Sequence, residues 1–230
     1  AGVQWKKHEN LPDRVEKPKI DMPEVVFRLG EFTIEELEYV IKKLQNNKTP
    51  GPDGLTGELI KWLLPYGRSI LLRVCNRQFN NRELEESLHL ASVASIYKKG
   101  DSSSLNNYRP ISLLQITYKI IAAMIKERID DALDKYISKT QFGFRKSRST
   151  AQAIFLARRI MDIAEKEGTN ITMLLLDWEK AFDKVSQKGL FVALERMSVN
   201  PKLINIIREL YKKPVFKVEM EGHTSTWHTQ

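Results

Sequence analysis

The spacing of apolar residues predicts most of the secondary structure. Apolar positions recur at intervals of three and four in several stretches, as one face of an α-helix requires. Two of these stretches open with a capping box, formed by Thr33 with Glu36 and by Ser149 with Gln152. The predicted helices run from the cap Thr33 to Asn46, over Glu58–Leu64, Ser69–Phe79 and Thr117–Ile137, from Ser149 to Gly168, from the cap Ser186 to Met197, and onward from the cap Asn200.

Other stretches have the pattern of strands. Residues 91–97 alternate small polar with apolar side chains, and Tyr108–Leu114 could pair with them as a hairpin. Ile171–Leu176 is an unbroken apolar run, which is typical of a strand buried on both faces. Pro214–Met220 alternates again. Helices mixed with strands that need distant partners indicate an α+β fold.

Charge narrows the choice of partner. The 230 residues contain 37 Lys and Arg against 29 Asp and Glu, a formal net charge of +8. This excess favours a polyanion, nucleic acid first and an anionic membrane second. A protein that is merely basic remains an equal alternative on charge alone.

Cysteine content and apolar run lengths exclude several classes. Cys75, the single cysteine, makes neither an internal disulfide nor a Cys-rich zinc site, and its apolar helical surroundings predict a buried thiol. The first residues have no signal-peptide core, and no run of about 20 apolar residues predicts a membrane span. A reducing, intracellular setting is expected. Residues 1–30, polar with three prolines, predict an extended lead-in, and both ends have the character of fragment ends.

The first candidate for chemistry is the stretch LLLDWEKAFDKV, residues 174–185. It places the Asp177 carboxylate at the end of the predicted buried strand, where a hard cation such as Mg²⁺ can lie beside a phosphate. Asp183 follows six residues later. The alternative is that Asp177 simply starts a turn or caps the next helix.

Two basic segments are candidates for binding phosphates. Lys98 and Lys99 lie across the predicted hairpin from Arg109, where a point charge and a planar fork could hold a triphosphate. The alternative is an ordinary solvated hairpin. The loop QFGFRKSR, residues 141–148, interleaves aromatic rings with cations, which suits a nucleic-acid strand. Its phenylalanines could equally anchor the loop in the core. The turn-rich stretch Pro50–Gly54 is a weak signal by itself.

The order of these segments is more informative than any one of them. From about Glu31 onward the chain resembles the reverse transcriptases of LINE-type (non-LTR) retrotransposons. The matching stretches, in the family's order and at its approximate spacing, are NNKTPGPDGLTGELIK, SIYKKGD with NNYRPISLL, KTQFGFRKSRST and LLLDWEKAFDKV.

The resemblance implies a right-hand polymerase that copies an RNA template onto a DNA primer with dNTPs and two Mg²⁺ ions. Residues 31–165 would be mainly helical fingers with a β-hairpin, and 166–230 the start of an antiparallel palm sheet. A eukaryotic retroelement would place such a protein in the nucleus, and no membrane partner is expected.

The resemblance also assigns roles to individual residues. Asp177 matches the family's first metal-binding aspartate, with the backbone carbonyl of Trp178 as a further ligand. Phe182 matches the aromatic under the sugar of the incoming nucleotide. Lys99 and Arg109 match the triphosphate-holding residues, with Lys98 as an alternative to Lys99. The strand-binding segment corresponds to Gln141, Phe142, Gly143, Phe144, Arg145 and Arg148.

One departure from the family pattern matters for activity. The 230 residues contain neither the family's glycine-glutamine-proline motif nor its aromatic-x-Asp-Asp motif. One aspartate cannot hold two metal ions, so this chain alone is expected to be inactive. The alternatives are a group II intron maturase, a non-catalytic nucleic-acid-binding module, and an interaction protein derived from a dead element.

Overall fold

The structure, a computed structural model, describes residues 24–81, 84–178, 181–182, 184–220 and 222–229. Most of the predicted lead-in therefore lies outside the described residues. The α-helices are α1 (Ile34–Lys43), α2 (Gly57–Lys61), α3 (Pro65–Asn80), α4 (Ile116–Leu133), α5 (Thr150–Lys166), α6 (Gln187–Arg196) and α7 (Pro201–Tyr211). Short 3₁₀ turns occupy Glu86–His89, Leu105–Asn107 and Asp134–Tyr136. The strands are β1 (Leu90–Tyr97), β2 (Tyr108–Leu114), β3 (Val215–Met220), β4 (His223–Thr224) and β5 (His228–Thr229).

The predicted helix starts follow from local capping. The Glu36 N–H donates to Thr33 Oγ1 at 3.3 Å, and the Thr33 N–H donates to Glu36 Oε2 at 2.9 Å. At α7, Asn200 Oδ1 accepts from the Lys202 N–H at 2.9 Å. Several boundaries differ from the prediction: α2 and α4 end earlier than predicted, at Lys61 and Leu133, and α3 begins at Pro65 rather than Ser69. Proline fits the first turn of a helix, where its missing N–H would have no intrahelical partner.

The predicted hairpin is confirmed, and the sheet around it is mixed. β1 pairs antiparallel with β2, so that Ala91 lies opposite Leu114 and Tyr97 opposite Tyr108. β3 pairs with β1 in parallel, and β4 and β5 pair with β3. The mixture of helices and sheet that the α+β prediction requires is therefore confirmed. The expected antiparallel palm sheet is corrected, because β3, the last long strand, pairs in parallel with β1. The proposed boundary at residue 165 stays a prediction, although the sheet contains strands from both sides of it.

The core lies where α1, α3, α4 and α7 meet. Cys75 is fully buried, as predicted, and burial raises the pKa of its thiol to about 12. Phe27, from the predicted lead-in, also packs into this core. The core side chains with 0% exposure are Leu37, Cys75, Ile120, Ile121 and Leu203.

The prediction of a buried strand at Ile171–Leu176 is wrong for this structure. The segment forms neither helix nor strand, and Leu174, Leu175 and Leu176 are 78%, 84% and 80% exposed. An extended segment becomes a strand only when neighbouring backbone groups pair with its own. No strand among the described residues pairs with the segment Ile171–Leu176.

Candidate functional site

The hairpin that carries the predicted triphosphate residues is fixed by two tyrosines. The rings of Tyr97 and Tyr108 lie 5.5 Å apart on one face of the sheet. The Tyr97 hydroxyl donates to the Gly100 carbonyl, and the Tyr108 hydroxyl donates to the Ser102 carbonyl at 2.9 Å. The connecting turn is thus bonded to the strands that it joins.

Gly100 allows this turn to close. Its φ of 99° is in the region that favours glycine, and a Cβ there would lie 2.8 Å from Asn107 Nδ2. The same Nδ2 donates to the Asp101 carbonyl at 2.8 Å. A side chain at position 100 would therefore displace the amide that holds the turn.

The register bears on the choice between Lys98 and Lys99. Arg109 lies opposite Ile96, and paired residues of an antiparallel ladder point to the same face. Successive side chains of a strand alternate between faces, so Lys98, the first residue after β1, would share the face of Ile96 and Arg109. Lys99 lies in the bend beyond the paired residues. The Lys98 N–H continues the ladder by donating to the Asn107 carbonyl at 2.8 Å. Both Lys98 and Arg109 are exposed. The register thus favours Lys98 as the neighbour of Arg109, and the choice between the two lysines as triphosphate contact stays a prediction.

Arg145 has a role that the sequence pattern did not indicate. Its side chain is only 7% exposed, and all five of its N–H groups donate within the chain. Its fork grips both carboxylate oxygens of Asp134 at 2.8 and 3.0 Å, which holds the pKa of Asp134 below its usual range. The remaining donors reach the carbonyls of Asp134, Ser138 and Gln141. The assignment of Arg145 to phosphate binding stays a prediction, and in this structure every N–H group of its side chain already donates within the chain.

Of the other two cations of this loop, one is paired with carboxylates and one is exposed. Lys146 donates to Glu127 at 2.7 Å and to Asp131 at 2.9 Å, and these hydrogen bonds raise its pKa. Arg148 is exposed and has no hydrogen bond or ion pair among the described residues. Of the three cations at positions 145–148, Arg148 is thus the one left to meet a phosphate.

The rest of the predicted strand-binding segment is a bent, exposed turn. Gln141 Nε2 donates to the Gly143 carbonyl at 3.2 Å, while Phe142 is half-buried. Phe144 is 88% exposed at a φ of 60°, which is uncommon for a bulky residue. Residues that are held at such backbone angles cluster at ligand-binding and active sites, which makes Phe144 a candidate contact.

Two residues that the sequence assigned to different roles meet in the structure. The ring of Phe182, 81% exposed, lies edge-on to Phe144 with the centroids 6.2 Å apart. Asp177 and Trp178 are exposed nearby in sequence, and neither has a hydrogen bond or ion pair within the described residues. Asp183 lies outside the described residues.

The described residues do not make a complete metal site. Nowhere in the described ranges do three or more His, Cys, Asp or Glu side chains group to hold a cation. Asp177 offers one carboxylate, which is too few for two ions.

A comparison with protein families decides what this arrangement belongs to. A family model described as reverse transcriptase (RNA-dependent DNA polymerase) matches residues 96–230, more than half of the chain. The chain belongs to the reverse transcriptase family. The reverse transcriptases are RNA-directed DNA polymerases, and thus nucleotidyltransferases, as the motif order predicted.

Relatives of this reverse transcriptase chain come from mobile elements. The transposon TX1 uncharacterized 149 kDa protein of Xenopus laevis is 32% identical over 205 residues, which are 87% of this chain and 16% of that protein. The RNA-directed DNA polymerase from mobile element jockey of Drosophila melanogaster is 29% identical over 204 residues, 86% of this chain and 22% of the relative. The predicted resemblance to non-LTR retrotransposon enzymes is confirmed, and the chain spans only about a fifth of the length of these relatives.

Across the part of the reverse transcriptase chain that the structure describes, no helix combines the length and the apolar character that crossing a bilayer requires.

Proposed function

We propose that this chain supplies the nucleotide-gripping and template-supporting part of a retroelement RNA-directed DNA polymerase. The observation that supports the proposal most strongly is the hairpin register, which gives Arg109 and Lys98 a common, exposed face. A planar guanidinium beside an ammonium is a chemically suitable clamp for the triphosphate of a dNTP.

The template side of the proposal rests on the turn around Phe144. An exposed ring can stack on a base or pack on a sugar, and Arg148 can neutralise a phosphate beside it. Phe182 would lie under the sugar of the incoming nucleotide. Its contact with Phe144 is consistent with template and nucleotide meeting near this point.

The metal and fold assignments are proposed for an active longer protein that contains this chain. Asp177 would hold Mg²⁺ only together with further carboxylates, and none groups with it among the described residues. In the same way, the exposed apolar run Ile171–Leu176 would become a palm strand of a right-hand polymerase once further strands pair with it. Two-metal chemistry is therefore proposed for a longer protein.

The clamp can be tested by kinetics in an active longer protein that contains this chain. Arg109→Ala should raise the KM for dNTP about ten- to a hundredfold, since one charge-assisted hydrogen bond contributes roughly 1.5–3 kcal/mol. Lys98→Ala should raise the KM more than Lys99→Ala does. Arg159→Ala is the matched control, because Arg159 is an exposed arginine paired with Asp162 on α5. An unchanged KM in Arg109→Ala would return this residue to the solvated-hairpin interpretation.

A second candidate function is nucleic-acid binding without catalysis. It is favoured by the lack of an acidic cluster in the described residues. Under this proposal the 230-residue chain binds RNA or an RNA–DNA duplex in a salt-dependent way but does not extend a primer. Templated synthesis by the purified chain in Mg²⁺ would contradict it.

A further inference from the structure

The loop Pro50–Gly54, a weak signal in the sequence, contacts the point where β2 turns into α4. Asp53 Oδ2 accepts from the backbone N–H of Ile116 at 3.0 Å, across 63 residues of sequence. Asp53 Oδ1 accepts from the Leu55 N–H at 3.2 Å, within its own turn. Both carboxylate oxygens are thus used, one to shape the loop and the other to bind it to the first residue of α4.

Gly51 brings the same loop into backbone contact with the end of β2. A Cβ at this position would lie 2.4 Å from the Leu114 carbonyl oxygen and 2.5 Å from its carbon. These neighbours are backbone atoms and cannot turn away, so a larger residue would push the loop and the strand apart.

The start of α4 depends on this external contact. Gln115, which precedes the helix, makes no side-chain cap, and its Nε2 donates to the Ser87 carbonyl at 2.6 Å. The first N–H groups of a helix have no intrahelical acceptor, and a carboxylate there also complements the helix dipole. Asp53 supplies both the acceptor and the charge.

β2 also needs a fixed end. It is the outermost strand of the sheet and pairs only with β1 among the described strands. Arg109 is the second residue of β2. Leu114 is its last residue, and the backbone of Leu114 contacts Gly51.

We propose that Asp53 is a positioning residue: by holding the β2–α4 junction, it sets where the edge strand places Arg109. The inference rests on the proposed role of Arg109 in gripping the triphosphate. Asp53 itself does not touch the nucleotide.

The structural half of the proposal is tested on the 230-residue chain by amide hydrogen exchange. Asp53→Ala should accelerate exchange in Tyr108–Leu114 and at Ile116 selectively. Asp53→Asn, which keeps one side-chain oxygen, should retain part of the protection. The matched control is Thr33→Ala, which removes the cap of α1 and has no bond to β2. If Asp53→Ala and Thr33→Ala change exchange in the same places, Asp53 is only a stabilising residue and the proposal is wrong.

The functional half is tested in an active longer protein. Asp53→Ala should raise the KM for dNTP about tenfold while kcat and primer–template affinity stay within about threefold, whereas Thr33→Ala should leave all three unchanged. If Arg109→Ala raises the KM but Asp53→Ala does not, the positioning role is wrong. If Arg109→Ala itself has no effect, the proposed clamp fails and the positioning role fails with it, while the exchange result still reports whether Asp53 holds the junction.

Discussion

Helix α4 and the segment Ile171–Leu176 are both rich in apolar residues, yet they have opposite environments. In α4, Ile120 and Ile121 are 0% exposed, whereas Leu175 is 84% exposed. α4 satisfies its own backbone and has α1, α3 and α7 to pack against, while an extended segment needs other strands to do both. Apolar character thus shows that a segment requires a partner without showing that one is present.

The charged residues divide along the same line. Arg128, on α4, has a side chain 2% exposed, and all five of its N–H groups donate to Glu36 and to the carbonyls of Arg28, Gly30 and Glu31. It also lies 4.5 Å from the ring centre of Phe32. Arg148 and Asp177, in the exposed region, have no such bonds among the described residues. The first region is organised internally, and the second is available to other molecules.

The largest effect is expected from Arg128→Ala. Removing one member of a buried ion pair typically costs about 3–5 kcal/mol, because the remaining charge and carbonyls lose their partner. The variant should therefore unfold at a much lower denaturant midpoint than wild type. The control is Arg148→Ala, whose midpoint should not move. A small loss in Arg128→Ala would mean that solvent replaces these bonds.

Acid should reduce the difference in stability between wild type and Arg128→Ala. Burial alone would raise the pKa of Glu36, but hydrogen bonds from Arg128 and Thr33 outweigh it and hold the pKa below its usual range. A carboxyl group whose pKa is lowered by folding stabilises the folded state fully at pH values above its ordinary pKa of about 4.3. The stabilisation is lost as the pH falls through the lowered pKa of the folded state. In urea titrations from pH 7 downward, the difference in free energy of unfolding between wild type and Arg128→Ala should shrink only below the ordinary pKa of a glutamate.

The next effect separates the two apolar regions directly. Leu37→Ala removes a fully buried side chain and should cost about 2–5 kcal/mol. Leu175→Ala, the same change at an exposed position, should alter stability by no more than about 0.5 kcal/mol in this chain. In a longer protein in which the run becomes a palm strand, Leu175→Ala should instead be costly. Equal effects in this chain would contradict the exposed environment of Leu175.

These expectations indicate which parts of the molecule the sequence could predict. The caps at Thr33 and Asn200 and the β1–β2 hairpin were predictable, since they depend on residues close in sequence. The parallel pairing of β3 with β1 was not, because the 117 residues from 98 to 214 separate the two strands. The motif order identified the family although each motif alone was ambiguous.

At the candidate site, the sequence predicted which residues carry charge and not which of them are free. Arg145 and Arg148 are three positions apart and identical in type, and only the structure shows that Asp134 and three carbonyls occupy Arg145. Similarly, the Asp53–Ile116 bond joins two segments that no local pattern connects.

A smaller effect should distinguish the two arginines of the basic loop. Arg148→Ala should weaken RNA binding for all sequences alike, since a phosphate contact carries no base information. It should also reduce the log–log salt slope, by about 0.9 on duplex DNA, since one phosphate contact is lost. Arg145→Ala should instead accelerate hydrogen exchange in residues 137–145. If Arg145→Ala changes the salt slope and leaves exchange unaltered, the anchoring role of Arg145 is wrong.

The smallest effect on stability is expected at Phe182, where a change in specificity should stand out clearly. Phe182 is 81% exposed, and its ring lies edge-on to that of Phe144, itself 88% exposed. Phe182→Val should therefore change the free energy of unfolding by no more than about 0.5 kcal/mol. If the ring packs under the nucleotide sugar, it leaves no room for a 2′-hydroxyl, and valine should let an active longer protein incorporate ribonucleotides while still using dNTPs. Phe155→Val is the matched control, because Phe155 is 66% exposed on α5. Primer extension with dNTPs and rNTPs in parallel measures the discrimination, and thermal unfolding of both variants measures stability. A stable Phe182→Val protein with unchanged sugar discrimination would refute the gating role, and a loss of several kcal/mol would make Phe182 a core residue.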